Sequence, residues 1–406
     1  MKLKSNFYIY VAAFSCQKII LNSAIEEIEP IEEEHHLLVD DMLSHLNCHS
    51  DSILPHDHKT DYADEGSVYN DKREMITQNG MTIDLDLLRS RQIPVPSWLT
   101  EFTGIDKWPG MEPPYIPLDF IEFTKIPDFK PYPQGSCPLE GRLSCSFDCY
   151  KCIEPDDVYT CPNLSQTFDD GPTTSTIQLL DRFEETGQKS TFFNLGINVV
   201  SHPDIYQRMV RDEQLIGTHT WSHAFLPSLT NEQIIAQIQW SIWAMNATGH
   251  HIPKWFRPPY GAIDNRVRAI TRQFGLQAVL WDYDTFDWML LNEHNNQRTE
   301  QQILDDVGQW VSKAPKSGLI LEHDGAAKTV QMGLKVSEIV GTEQLTVSKC
   351  VGGIDYIKTF GDDKKNSDQP PKKGGGGRRR RIIRRPRVQS PNKKREYKEY
   401  NMIVIM

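Results

Sequence analysis

No stretch of these 406 residues is long and apolar enough to cross a bilayer. A spanning helix needs about 20 consecutive apolar residues, and the run from Phe7 to Phe14 ends far short of that. No clear small-residue cleavage site follows it, and Gln17-Lys18 interrupts the chain behind it. With Lys2 and Lys4 ahead of the apolar run, residues 1–24 still read as a secretion signal. Met402–Met406 is too short for the apolar tail of a glycolipid anchor. Positive charge is also scarce outside the C-terminus. Fifteen Lys/Arg against three acids lie from Lys364 onward, so taking that +12 from the formal −11 leaves −23 on the remainder. An acidic body of this kind is a poor surface for nucleic acid or anionic lipid, so no nucleic-acid partner is expected for the folded domain. A neutral or cationic polymer suits it.

Order is unevenly distributed. Residues 25–92 are acidic and carry His35, His36, His45, His49, His56 and His58 at irregular spacing, with few apolar residues between them. That composition predicts a solvated, low-order segment rather than a metal-binding tract. From 93 to 160 the chain changes. Pro, Trp, Tyr and Phe recur without helical or strand period, as in Pro96-Ser97-Trp98-Leu99 and Trp108-Pro109-Gly110. This is expected to be an irregular arm whose aromatic side chains pack on the main domain. At the other end, Gly374–Gly377 and the block Arg378–Arg381 with Arg384, Arg385 and Arg387 predict a disordered basic tail over 354–406.

Six cysteines fall in or near the ordered part: Cys137, Cys145, Cys149, Cys152, Cys161 and Cys350. The spacing of Cys145, Cys149 and Cys152 fits the three-cysteine pattern of an iron–sulfur radical enzyme. The sequons Asn163-Leu164-Ser165 and Asn246-Ala247-Thr248 favour an oxidising compartment instead, and with it a disulfide framework. Six cysteines allow about 15 pairings, among which sequence does not choose.

Over 161–353 short apolar runs alternate with helical patterns. Strands are expected at Leu164–Phe168, Ser190–Leu195, Leu215–Gly217, Trp255–Arg257, Gln277–Trp281 and Gly318–Leu321. Helices are expected at Thr174–Thr186, Asn231–Thr248, Asp264–Phe274 and Glu300–Lys313, each with a polar start and a Gly or Pro stop. Such β-α repetition predicts a parallel sheet or barrel with its site at the carboxyl ends of the strands.

Chemistry-bearing residues follow these strands. Thr167-Phe168-Asp169-Asp170-Gly171-Pro172 runs a strand into a tight turn with two carboxylates at its tip. His219-Thr220-Trp221-Ser222-His223 presents two imidazoles to one point if it makes a helical turn. Asp170 would complete a set of two His and one carboxylate, the pattern of catalytic zinc, with a position open for water. In Arg257-Pro258-Pro259-Tyr260-Gly261 the prolines fix a turn and leave the Tyr260 N–H to point into the site. Asp282, Asp284, Asp287 and Trp288 follow the fifth strand. His323, in Leu321-Glu322-His323-Asp324, needs an acid partner to serve as a proton donor.

Together the five motifs, in this order, resemble those of the polysaccharide deacetylases, the NodB-like domain of carbohydrate esterase family 4. The upstream arm, with Trp98-Leu99-Thr100-Glu101-Phe102 and Pro113-Pro114-Tyr115-Ile116-Pro117-Leu118-Asp119-Phe120, resembles fungal chitin deacetylases in particular. The resemblance implies an α/β fold, a distorted (β/α) barrel, over 161–353. It implies hydrolysis of N-acetyl groups from the N-acetylglucosamine units of chitin, or chito-oligosaccharides, at a divalent metal, zinc or alternatively cobalt. It further implies Asp169 as catalytic base, and Asp170, His219 and His223 as metal ligands. Arg257 would hold the base, Asp287 would tune the general acid His323, and the Tyr260 N–H would be an oxyanion donor. Trp288 and Leu321 would wall the acetyl pocket. Peptidoglycan and acetylxylan remain alternative substrates, and an inactive wall-binding homologue is the alternative outside catalysis. A secreted or cell-wall location follows from the same resemblance.

Overall fold

The apolar runs become strands of one parallel sheet. The computed structural model describes residues 92–291 and 298–360, together with the strands of a short hairpin, β1 (Met75–Gln78) and β2 (Met81–Asp84), which pair antiparallel. Of the chain's two units, Met1–Lys72 lies outside the described residues, and everything below belongs to Arg73–Met406. The expected signal, most of the His-rich segment and the basic block of the tail also lie outside them.

The remaining strands are β3 (Ser165–Asp169), β4 (Thr191–Asn194), β5 (Leu215–Thr218), β6 (His251–Pro253), β7 (Trp255–Phe256), β8 (Gln277–Ala278), β9 (Tyr283–Asp284), β10 (Leu319–His323) and β11 (Tyr356–Thr359). Seven of them form the main sheet in the order β8-β7-β5-β4-β3-β10-β9, with every neighbouring pair parallel. Strands β3, β4 and β5 are buried along their whole length, and none of them shows the apolar–polar alternation of a strand with one face in water. The outer strands β8 and β9 are only two residues long and do not pair with each other, so the barrel stays open between them. On the β8 side, Val158 bridges Val279 and covers part of the edge.

The expected helices form at Thr176–Thr186, Asn231–Gly249, Asn265–Gln273 and Glu300–Ser312. Capping boxes start two of them, with Thr230 and Gln233 in one and Thr299 and Gln302 in the other. Among the described residues six more α-helices, Ser97–Thr103, Phe147–Tyr150, Gly196–Ser201, Pro203–Arg211, Ala327–Val340 and Val347–Val351, occupy stretches in which no helix was expected.

The arm explains an oddity of Asn231–Gly249, which is buried on nearly every face from Ile234 to Asn246. Its outer side is covered by arm residues. Trp108 meets Trp240 edge-on, Phe102 meets Trp243 edge-on, and the Trp240 indole donates to the Pro114 carbonyl at 2.8 Å. The expected packing of the arm's aromatics is thus present.

Two sequence expectations change. The tail was expected from 354, but β11 pairs antiparallel with β6, and the Phe360 N–H donates to the His250 carbonyl. Tyr356 packs against His251 with the rings tilted and their centroids 4.2 Å apart, so side-chain contact joins the strand pairing in carrying the ordered chain to 360. The iron–sulfur reading is excluded, because its three cysteines are consumed in disulfides: Cys137–Cys149 and Cys145–Cys152. A third, Cys161–Cys350, ties residues 189 positions apart.

Closing so long a loop restricts the unfolded chain most. Replacing both Cys161 and Cys350 by Ser should lower the unfolding free energy by about 4–5 kcal/mol in the chain-entropy model. Chemical denaturation measures this, and an unchanged midpoint would contradict it.

Candidate active site

Parallel register sets the first juxtaposition. Asp169 closes β3 directly opposite His323, which closes β10. The chain then leaves the sheet at once, with Asp170 at φ 81, a left-handed conformation that Asp tolerates better than most residues. Adjacent acids would point to opposite faces of a continuing strand. The turn instead brings both carboxylates to the same imidazole: His219 Nε2 lies 3.7 Å from Asp169 Oδ2 and 3.6 Å from Asp170 Oδ1.

Asp324 fixes this turn. Its carboxylate accepts the Gly171 N–H at 2.9 Å and the Thr176 hydroxyl at 2.6 Å, while its own N–H donates to the Asp169 carbonyl. A Cβ at position 171 would lie 2.2 Å from Asp324 Oδ2, so only glycine fits. Asp324 belongs to the last motif but received no role from sequence, since its partners lie about 150 residues upstream.

Arg257 lies beneath Asp169 with no exposure. One Nη1 donates to both Asp169 Oδ1 (2.9 Å) and Thr167 Oγ1 (2.7 Å). Nε and Nη2 donate to the Val279 and Leu280 carbonyls, and the guanidinium sits 4.2 Å over the Phe193 ring. Burial raises the Asp169 carboxyl to about 6 even though Arg257 and His323 pull the other way.

The two imidazoles meet Asp170. His223 Nε2 lies 3.4 Å from the same Oδ1 that His219 approaches. One ligand atom from each of Asp170, His219 and His223 falls within 4.8 Å of the others. His219 Nδ1 is 2.8 Å from the Arg257 carbonyl, so Nδ1 carries the proton and Nε2 offers its lone pair. Burial pushes both histidines below their ordinary range, which keeps them neutral. Asp170 Oδ1 has no hydrogen-bond donor among the described residues. A buried carboxylate oxygen without a donor, beside the Nε2 atoms of two imidazoles, fits a divalent cation.

The route to this convergence differs from expectation. His219–His223 is not a helical turn: Thr220 and His223 both take positive φ, 72 and 62. Left-handed conformations at non-glycine residues cost about 1–3 kcal/mol each and persist only where the surroundings impose them.

On the other side of the cleft, His323 Nδ1 is 2.7 Å from Asp287 Oδ1, and the His323 N–H donates to Asp287 Oδ2 at 2.9 Å. Burial works against protonation of His323, but Asp287, then Asp170 and Asp169, outweigh it and lift the imidazole to about 10. Tyr260 has φ 62, and its ring meets that of His223 edge-on at 4.5 Å. Leu321 is buried in β10 opposite Thr167 and Asp284, whereas Trp288 is half exposed in the short turn Asp287–Leu291.

Removing the Asp324 carboxylate orphans two buried donors. Asp324→Ala should lower stability by about 1–3 kcal/mol per donor, and Asp324→Asn should recover most of it, because an amide oxygen still accepts from Gly171. Urea unfolding of the three proteins checks this, and equal midpoints would contradict it.

Comparison with known proteins agrees with the geometry. A profile for the polysaccharide deacetylase family matches residues 157–279. Chitin deacetylase 2 of Saccharomyces cerevisiae is 64% identical over 267 residues, which cover 66% of this chain and 84% of the relative. Chitin deacetylase 1 of the same yeast is 58% identical over 269 residues, 66% of this chain and 87% of the relative. Among solved structures, the chitin deacetylase of the fungal pathogen Colletotrichum lindemuthianum is 27% identical with a TM-score of 0.45, covering 51% of this chain and 97% of that one. With the two acids, the paired imidazoles and this degree of identity to the yeast proteins, the chain belongs to the polysaccharide deacetylase family.

Proposed function

We propose that this hydrolase removes N-acetyl groups from the N-acetylglucosamine units of chitin, releasing acetate and leaving chitosan. The observation that carries the reading is the meeting of Asp170, His219 and His223 beside Asp169 and His323, in a chain 64% identical to a yeast chitin deacetylase. A divalent ion, zinc in this reading and cobalt as the alternative, would be held by Asp170 Oδ1 and the Nε2 atoms of His219 and His223. When bound it supplies Lewis acidity for the acetyl carbonyl and for the attacking water.

The chain's own groups do the rest. Asp169, held by Arg257, accepts the proton of the water that attacks the amide carbon. The Tyr260 N–H donates to the developing oxyanion, an interaction typically worth about 3 kcal/mol. His323 gives its proton to the departing nitrogen, and Asp287 keeps it charged for that task. Leu321 and Trp288 would wall the acetyl group. No covalent intermediate is required. Three disulfides and the yeast relatives support a secreted or cell-wall protein. Of the two sequons, Asn246 is buried in its helix, and the half-buried Asn163 donates its amide N–H to the Glu343 carbonyl.

Acetate release from chitin oligomers, acetylxylan and peptidoglycan, each with and without a chelator, tests the reading. Chitin oligomers should be the best substrate, and the chelator should stop the reaction. Release that is insensitive to the chelator would overturn it. The rate should rise as Asp169 deprotonates near pH 6 and fall as His323 loses its proton toward pH 10. Asp287→Asn removes the strongest upward influence on His323 and leaves burial opposed only by the weaker pull of Asp170 and Asp169, so the alkaline limb should move toward neutrality. An alkaline limb that stays in place would contradict the pairing.

A further inference from the structure

We propose that the N-terminal arm, through Gly110 and Met111, is a positioning element for the metal site: it holds the turn between His219 and His223 in the conformation that brings their Nε2 atoms together. The inference rests on the reading of those histidines as ligands, and it concerns residues outside the family-matched segment, which begins at 157.

The turn is strained at Thr220 and at His223, so something must hold it. Between the ligands lie Trp221 and Ser222, both buried. The Trp221 indole N–H donates to the Gly110 carbonyl at 2.7 Å, and the Ser222 hydroxyl donates to the Met111 carbonyl at 2.5 Å. Gln237, on the long helix, joins them. Its amide N–H donates to Ser222 Oγ (2.8 Å) and to the Met111 carbonyl (3.3 Å), and its oxygen accepts the Ser222 N–H.

The arm is itself anchored at this point. Trp108 stacks on Trp221 with centroids 6.0 Å apart, and its indole donates to the Ile93 carbonyl. The Ile93 N–H in turn donates to the Val200 carbonyl. Buried indole and hydroxyl donors require acceptors. The arm carbonyls are those acceptors, so loss of the arm contact leaves both donors between the ligands unpaired and removes one side of the turn's support, the other being Gln237 and the Gly196 and Ile197 N–H groups on the Thr220 and Trp221 carbonyls.

The test is zinc binding to metal-free protein, titrated in competition with a chromophoric chelator, alongside thermal unfolding of the same samples. Trp221→Phe with Ser222→Ala keeps the stack and the ligands but removes both donors. Trp108→Leu acts from the arm side. Phe102→Ala, which touches Trp243 away from the turn, is the control. Zinc affinity should weaken by about tenfold or more in the first two and stay at the parent value in the control. If the paired Trp221 and Ser222 variant binds zinc within about twofold of the parent, the arm only packs and the proposal fails; should Trp108→Leu not fold, this pair decides alone. A parent that binds no zinc would overturn the metal reading itself rather than this one.

Discussion

A fully buried guanidinium sits under the carboxyl end of the sheet, and the site is built on its pairing with Asp169. Breaking such a pair by removing one partner costs about 3–5 kcal/mol, because a charge is left uncompensated in a low-dielectric interior. Arg257 meets that demand with two carbonyls, a hydroxyl, a carboxylate and the face of Phe193. The consequence is chemical as well as structural. Burial alone would drive Asp169 toward the neutral acid. The guanidinium limits this to about 6, which leaves a carboxylate at neutral pH that is still basic enough to take a proton. The same residue's carbonyl sets the His219 tautomer, so one side chain and its own backbone orient both Asp169 and His219.

Division of labour between Asp169 and Asp170 follows from their surroundings. Asp169 faces a permanent cation that cannot leave. Asp170 faces two imidazoles that burial keeps neutral, and its Oδ1 has no donor among the described residues. Nothing in the pair of letters distinguishes them. The left-handed φ at Asp170 and the clamp from Asp324 do. Opposite them, Asp287 grips His323 through both oxygens, which fixes ring and backbone at once.

Much of this was legible in the sequence, and the reasons are specific. Parallel strands place their C-terminal residues side by side, so motifs after separate apolar runs converge without further information. Asp169, Asp170, His219, His223, Arg257, Asp287 and His323 lie at or after such runs, and the fold brings them together. A helical turn was the one route considered for bringing the histidines together; the left-handed residues at Thr220 and His223, which do it instead, have no sequence signature. Strand β9 was hidden because two residues, Tyr283 and Asp284, make no pattern. Ala327–Val340 went unseen behind Asp324-Gly325-Ala326, which starts it without a side-chain cap. Asp324 itself has its partners far upstream. Disulfide pairing depended on geometry, and it removed the iron–sulfur alternative outright. The ordered chain past 353 rested on β11 pairing with β6, a long-range contact that local composition cannot express.

The central claim is that Asp170, His219 and His223 share one divalent ion. Anomalous diffraction at the zinc edge from crystals grown with zinc tests it most directly. The account predicts one strong peak about 2.0–2.2 Å from Asp170 Oδ1 and from both Nε2 atoms. A peak elsewhere, or none at this point in zinc-saturated protein, would contradict it.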